Sequence, residues 1–471
     1  MAEHELAFQY DVPTLARAVA QLLPAESASP TWGEMSVKSP LWRRALRFFL
    51  GPRRWALLRM SACLHRLVTH SAKPVLVYVV PFDIWKLRTG GGQRIAGIAK
   101  VLSRDYNVLV LTSAWSTKTF TCQELCPDCH LIAVPAEAEF IQRLQGGAIA
   151  YFAFTDYFDR LIGFNVTMDI LASHVRACIF ESPIAWPVVQ RFQQKRWCVC
   201  YDAPNDYAQF LQKSYSCKEE NLVSRLLTME RHVVGHVSVA SFCTERDLGR
   251  VRDRNPAVTA HMVVVPNGVD VAACQAVWPS QARQRRRAVG FARPLAVFVG
   301  AHHNPNFEAV DLIAKELAPA FPEVVFVVVG LNLNALRNTG RTLAGENLVV
   351  TGPVSEDCKT ALYALAEIAL APMKSGTGSS LKVPDYVAHG KIVVATPIGL
   401  RGFEDLAKFP SVISAQDVRA ALAEVLERLE MDPAAYDPAC RQAREWTERS
   451  LDWSVAAQPL VAAMGDGEAR P

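Results

Sequence analysis

"IALAPMKSGTGSSLKVPDYVAHGKIVVATPIG", residues 368–399, carries an apolar run at each end and a helix-compatible segment between them. Strand, glycine-serine loop, helix and strand in that order form the repeating unit of a parallel sheet covered by helices. "IALAPM" ends near Met373, Gly376 to Ser380 form the loop at its carboxyl end, and "IVVATP" is the next strand. Gly390 suits the C′ position that closes the intervening helix. Pro384 fits only within the first turn of that helix. Such a loop offers backbone N–H groups, and its glycines let an anion approach closely. Lys382 adds a positive charge, and Asp385 can accept hydrogen bonds from sugar hydroxyls. A diphosphate joined to a ribose matches both features. The same residues also serve plain turn chemistry and a solvated helix flank.

Outward from this stretch the pattern repeats. "LAVFVGA", "VVFVVVG", "NLVVTG" and "SVISA" complete one series of short β-branched runs. Upstream, "PVLVYVV", "YNVLVLT", "HLIAVP", "VRACIFES", "WCVCYDAP", "GHVSVAS" and "HMVVVPNG" form another, with helix-period segments such as "QRIAGIAKVLSR" between them. The sequence therefore predicts an α/β protein of two doubly wound, Rossmann-like domains. Their ligands are expected outside the carboxyl ends of the strands, in a cleft between the domains. The expected boundaries are a basic extension over 1–70, one domain over 71–278, a polar connector over 279–294 and a second domain over 295–430. Over 431–471, helices returning towards the first domain end in a frayed tail.

With 471 residues, two cores are the default. The formal net charge of +4 is locally concentrated, since residues 41–70 hold seven arginines and no acid. That distribution argues against a nucleic-acid-binding field. Arginines mixed with Trp, Phe and Leu in "LWRRALRFFLGPRRWALLRMSACLHRLV" suit amphipathic helices on an anionic membrane surface, or a leader packed on the body of the protein. No apolar run is long enough to span a bilayer, and the start is unlike a secretory signal. Twelve scattered cysteines suit reduced thiols, so the cytoplasm, with a peripheral membrane position on its inner face, is the expected compartment.

Acids at strand ends are the candidates for proton transfer. Asp202 and Asp206 in "YDAPNDY" come first, although each also suits a helix cap; Glu181, ending "CIFES", is a third. "TCQELCPDCH" places Cys122, Cys126 and Cys129 at a spacing that could bind iron–sulfur or zinc, or could be a surface loop of reduced thiols. No metal and no cofactor is otherwise expected. His302 and His303 follow the first strand of the second domain, and His389 adjoins a helix end.

Four stretches in order carry a family resemblance. They are "TGGGQRIAGIAKVLSRDYNVLVLT", "FESPIAWPVVQRF…CVCYDAPNDY", "VVVPNGVD", and "FVGAHHNPNFEAVDLI" through "APMKSGTGSSLKVPDYVAHGKIVVATPIGLRG". Residues 74 to 460 resemble a nucleotide-sugar glycosyltransferase of the GT-B fold, most like family 4 (group 1). The "SSLK…DY" turn is similar to that of xanthan-type glucuronosyltransferases. The resemblance implies a donor site of Gly91, Gly92, Gly300, His303, Gly376, Thr377, Gly378, Ser379, Ser380, Leu381, Lys382 and Asp385. Ser379, Ser380 and Lys382 would hold the diphosphate and Asp385 the ribose. Catalysis would fall to Asp206, Asp202 and Lys382, with Glu181, Asp202 and Asp206 on the acceptor side. A UDP-sugar donor and a glycan or lipid-linked acceptor are implied, for surface polysaccharide or glycolipid synthesis without a metal. Two family features are missing. Thr377 stands where the family has its first glutamate, and Pro204 where many members have a histidine. A nucleotide-sugar epimerase, or a decayed scaffold on the same fold, is the alternative.

Overall fold

In the computed structural model, residues 60–85, 90–114, 117, 119–135, 162–194, 197–214, 220–332, 336 and 346–468 are described. They form two compact units. The amino-terminal unit holds the described residues 60–211, 220–265 and 457–468, and the carboxy-terminal unit holds 266–456.

The amino-terminal unit is built on eight strands: β1 (Val75–Val80), β2 (Asn107–Ala114), β3 (Thr121–Cys126), β4 (Cys129–Pro135), β5 (Val175–Glu181), β6 (Cys198–Ala203), β7 (Val239–Phe242) and β8 (His261–Val264). Their order is β3-β4-β2-β1-β5-β6-β7-β8. All neighbours pair in parallel except β3, which runs antiparallel to β4. The expected strands are all present, and β3 is the addition. "TCQELC" forms this edge strand rather than a loop. An edge pairs on one side only, so it lacks the apolar run that marks a buried strand.

The carboxy-terminal unit holds β9 (Leu295–Val299), β10 (Val325–Val329), β11 (Leu348–Gly352), β12 (Ile368–Ala371), β13 (Ile392–Ala395) and β14 (Val412–Ser414), in the order β11-β10-β9-β12-β13-β14. Every pairing is parallel. Alternate residues feed two separate cores. Phe298, Phe326, Val328, Leu370 and Val394 pack on one face, and Val297, Val325, Val327, Ala369 and Val393 on the other. That two-sided burial explains why the strands read as continuous apolar runs. Strand order reverses between β9 and β12, the position at which such sheets bind ligands.

Two segments differ from the sequence expectation. Residues 60–70 are helical, and Met60, Leu64 and Val68 join the amino-terminal core. This end of the leader packs as part of the unit, while 1–59, including most of the stretch expected to suit a membrane surface, lie outside the described residues. The connector over 279–294 begins with a helix, Pro279–Ala288. Its Arg286 is buried against Glu367 and donates to the Leu365 carbonyl, which ties it into the carboxy-terminal unit. An arginine-rich string looks solvated in sequence because pairing is not visible there. The final helix Gln458–Glu468 belongs to the amino-terminal unit, where Cys198 Sγ approaches the Met464 carbonyl at 3.8 Å.

Candidate active site

The loop after β12 turns at Gly376 (φ 152°) and Gly378 (φ 60°), and the helix Lys382–Ala388 follows. Pro384 falls in its first turn, and Gly390 (φ 76°) ends it as expected. The Lys382 side chain turns to the β9 side of the strand-order reversal. Its Nζ donates to Asn306 Oδ1 at 2.8 Å, lies 3.5 Å from Met373 Sδ, and sits 4.3 Å over the Phe298 ring. Asn306 belongs to the helix Asn304–Leu312 that follows β9. No carboxylate lies within ion-pair distance of Lys382 among the described residues. Burial, and then the Arg401 charge, push its pKa down to about 7. The side chain keeps part of its surface open while the ammonium has few polar neighbours.

The loop that leads into Lys382 carries further groups suited to an anion. Ser380 is 3% exposed, and its Oγ has no hydrogen-bond partner. Ser379 Oγ accepts from Asn267 Nδ2 at 2.7 Å, which leaves its own proton for another acceptor. Arg401 donates to the Thr377 and Ile398 carbonyls and packs against Gly376, where an added Cβ would lie 2.6 Å from Cζ. His303 occupies the N-cap position of the helix after β9 without a side-chain cap bond, and burial, Arg401 and Lys382 lower its pKa.

The strand ends here are closely packed. A Cβ on Gly330 (φ 93°) would lie 2.5 Å from the Gly300 carbonyl oxygen, which begins the loop leading to His303. Gly330→Ala is expected to destabilise the carboxy-terminal unit by about 1–3 kcal/mol, measured by chemical denaturation.

Asp385 is satisfied within the protein. Tyr363 Oη donates to its Oδ2 at 2.8 Å, Lys359 Nζ lies 3.9 Å from the same oxygen, and His389 Nδ1 lies 3.5 Å from Oδ1. His389 is the C-cap of the same helix, and burial lowers its pKa. Cys274, Asp385 and His389 bring potential ligand atoms within 4.8 Å of one another, as no other group of three does among the described residues. The Lys359 charge beside Asp385 opposes a cation there. Cys122, Cys126 and Cys129 are not such a group. They lie on the β3–β4 hairpin, where Cys126 pairs opposite Cys129 and Cys122 contacts Cys63.

In the amino-terminal unit the three candidate acids separate clearly. Asp202 is fully buried and accepts four hydrogen bonds: Arg94 Nε at 3.0 Å, Arg94 Nη2 at 2.6 Å, Tyr78 Oη at 2.6 Å and Ser241 Oγ at 2.7 Å. Burial would raise its pKa, but Arg94 and the two hydroxyls hold it below the usual range. No acceptor position remains for a substrate hydroxyl. Asp206 takes a two-pronged contact from Arg254, at 2.9 and 3.2 Å, and accepts from the Gln209 amide at 3.4 Å. Its role is the helix cap and ion pair that aspartate often fills. These two residues, expected as bases, are therefore held as structural anchors.

Glu181 is different. It ends β5 beside β1, where strand order reverses in the first sheet. Its one hydrogen bond among the described residues is a long one, from Tyr207 Oη at 3.3 Å. Burial, and then the Asp202 charge, push its pKa up to about 8. Gly91 faces it: a Cβ there would lie 3.9 Å from Oε1. The next residue, Ser182, holds a left-handed φ of 69°, a strained setting for a non-glycine residue. Gly91 and Gly92 open the helix Gly90–Leu102, and Arg94 anchors that helix across β1, β6, β7 and the Val265 carbonyl.

Sequence reasoning missed Arg94, Arg401, Asn306, Tyr363 and Lys359. Each reaches its partner from a separate segment, so no local spacing marks it.

Residues 293–432 match the family model described as "Glycosyl transferases group 1". No curated protein matches the chain. Among solved structures, a sucrose-phosphate synthase from Thermosynechococcus elongatus is similar with a TM-score of 0.65 and 16% identity, covering 84% of this chain and 99% of that one. HepE from Anabaena, in complex with UDP and glucose, has a TM-score of 0.58 at 13% identity, covering 83% and 99%. A trehalose-6-phosphate protein from E. coli bound with UDP-2-fluoro glucose has a TM-score of 0.58 at 10% identity, covering 84% and 99%. The two parallel-sheet units thus share the fold of these solved structures, and within the second unit residues 293–432 are similar to group 1 glycosyl transferases.

Proposed function

We propose that the protein transfers a sugar from a nucleoside-diphosphate sugar, with UDP as the favoured nucleotide, to a hydroxyl of a glycan or lipid-linked acceptor. The observation that carries this reading is Lys382: an ammonium with no acidic partner among the described residues, at the β9–β12 reversal, under the influence of the Arg401 charge and two residues after Ser380, whose buried hydroxyl has no partner among them. Departure of the nucleotide develops negative charge on the diphosphate. Fixed cations and donors stabilise that charge without reorganising. Lys382, the Ser379 and Ser380 hydroxyls and the amides of Gly376–Leu381 other than Ser380, which donates to the Arg401 carbonyl, take the phosphates. His303 and the Gly300 turn line the same end of the sheet. Asp385 takes the ribose hydroxyls, exchanging its Tyr363 contact for them. These side chains supply the positive charge that a metal provides in other transferases. On the acceptor side, beside Gly91 and Gly92, Glu181 takes the acceptor's proton. Two UDP-containing structures among those with a similar fold support the choice of nucleotide.

Surface polysaccharide or glycolipid synthesis is the proposed setting, on the inner face of the membrane. The arginine-rich stretch before residue 60 would supply attraction to anionic lipid. No described helix is long and apolar enough to cross a membrane.

Calorimetric titration with UDP tests the donor site. Lys382→Ala removes a charge-assisted hydrogen bond and should weaken binding by about 10- to 150-fold, corresponding to about 1.5–3 kcal/mol. Unchanged UDP affinity in the variant would sink the assignment. Binding by the native protein should also take up a proton above about pH 7, because a bound phosphate restores the Lys382 charge. Its affinity should fall as pH rises through that range.

A further inference from the structure

The features that suit Lys382 to a phosphate also make it a nucleophile. An amine attacks only as its free base, and an ordinary lysine near neutrality is on the order of one part in 10³ deprotonated. With a pKa of about 7, close to half of the Lys382 side chains carry a lone pair at that pH. Arg401 and His303 supply positive charge and imidazole nearby, and among the described residues no acid pairs with the ammonium to hold the proton. Glu308 is engaged by the Ser375 hydroxyl, and Asp385, one turn along, faces Tyr363 and Lys359. Asn306 Oδ1, at 2.8 Å, accepts one N–H and so orients a neutral amine. The buried Ser380 hydroxyl has no hydrogen-bond partner among the described residues, and the loop before it turns at Gly376 and Gly378, so an acceptor on an anion is the partner it lacks.

We propose that Lys382 is an acylation site for acyl phosphates, the reagent's phosphate seating in the anion cradle and presenting its acyl carbon to Nζ. This rests on the anion-cradle reading above. The Nζ lone pair forms the new C–N bond, and the acyl C–O bond to phosphate breaks. Phosphate leaves with that electron pair, and the amine's surplus proton passes to solvent. The amide product is uncharged, so acylation removes the cation that the donor diphosphate needs. Acyl phosphates thus switch off donor binding at its own site.

The test is incubation of the full chain with acetyl phosphate, followed by peptide mass spectrometry of each lysine over time. Lys315 and Lys374, with side chains 62% and 56% exposed, are the reference lysines. Lys382 should be acetylated about tenfold faster than either, or more, given its larger free-base fraction. Inorganic pyrophosphate should suppress the reaction at Lys382 and leave Lys315 unaffected. Acetyl N-hydroxysuccinimide, which has no phosphate, should show a much smaller preference for Lys382. Calorimetry with pyrophosphate separates the two levels of the argument. A chain that binds pyrophosphate, yet acetylates Lys382 no faster than Lys315 or without protection, overturns the acylation proposal and leaves the donor site standing. A chain that does not bind pyrophosphate overturns both. Equal preference with the phosphate-free reagent overturns the seating of the acyl phosphate.

Discussion

Glu181→Gln is expected to lower kcat by about 10²–10⁴-fold, the range spanned by loss of a positioned acid–base group. Three carboxyl groups lie at the strand ends of the amino-terminal unit, and two are neutralised by arginine. Glu181 alone keeps a raised pKa and a weak single hydrogen bond. As a base it must be ionised, so kcat/KM should climb as pH rises towards about 8 and then level. The Glu181→Gln protein should show no such rise. Stability moves in the opposite direction. Between the ordinary glutamate value of roughly 4.3 and about 8, the folded chain holds a proton that the unfolded chain has released, so stability falls as pH rises through that window. The glutamine variant escapes this loss and should be the more stable protein at pH 8. Lower activity with higher stability is a signature that a merely structural residue would not give. A variant as active as the native protein would rule Glu181 out.

Arg94→Met is expected to cost the amino-terminal unit about 3–5 kcal/mol, the usual consequence of leaving one charge of a buried pair without its partner. Arg94 and Asp202 are 1% and 0% exposed. The guanidinium also holds the Val265 carbonyl at 2.8 Å, while Tyr78 and Ser241 share the carboxylate. One side chain thus fixes the helix Gly90–Leu102 to β6 and the segment after β8, and through Asp202 to β1 and β7. Chemical denaturation followed by hydrogen exchange should localise the loss to those strands. Adding Asp202→Asn should recover part of it, because the stranded charge disappears and the two substitutions share one interaction. A loss within about 0.5 kcal/mol, the level of an ordinary surface change, would show that the pair is not a keystone. Asp202, held below its usual pKa, contributes stability that is present above the ordinary aspartate range and is lost as pH falls through the lowered value.

Much of this architecture is legible in the chain because burial on both faces of a parallel sheet leaves a direct trace. "LAVFVGA", "VVFVVVG" and "IVVATP" are apolar at every position because successive residues feed opposite cores. Gly390 and Pro384 mark the helix Lys382–Ala388 through backbone constraints that act locally. Lys382 and Ser380 were marked by the same loop, and Glu181 by its place at the end of a strand.

The sequence by itself determined the fold class, the strand content and the loop that carries the cation, since each depends on neighbours a few residues apart. Tertiary structure alone decided which charges are spent and which remain available. Asp202 and Glu181 look alike as strand-end acids, but Arg94, 108 positions away in the chain, claims the first. Arg286 reads as one of several solvated arginines until Glu367 is brought against it. Pairing between ionisable groups runs through space, between segments that the order of strands places side by side. A linear pattern can therefore name the candidates for a site, while only packing shows which of them keep an unsatisfied charge for a ligand.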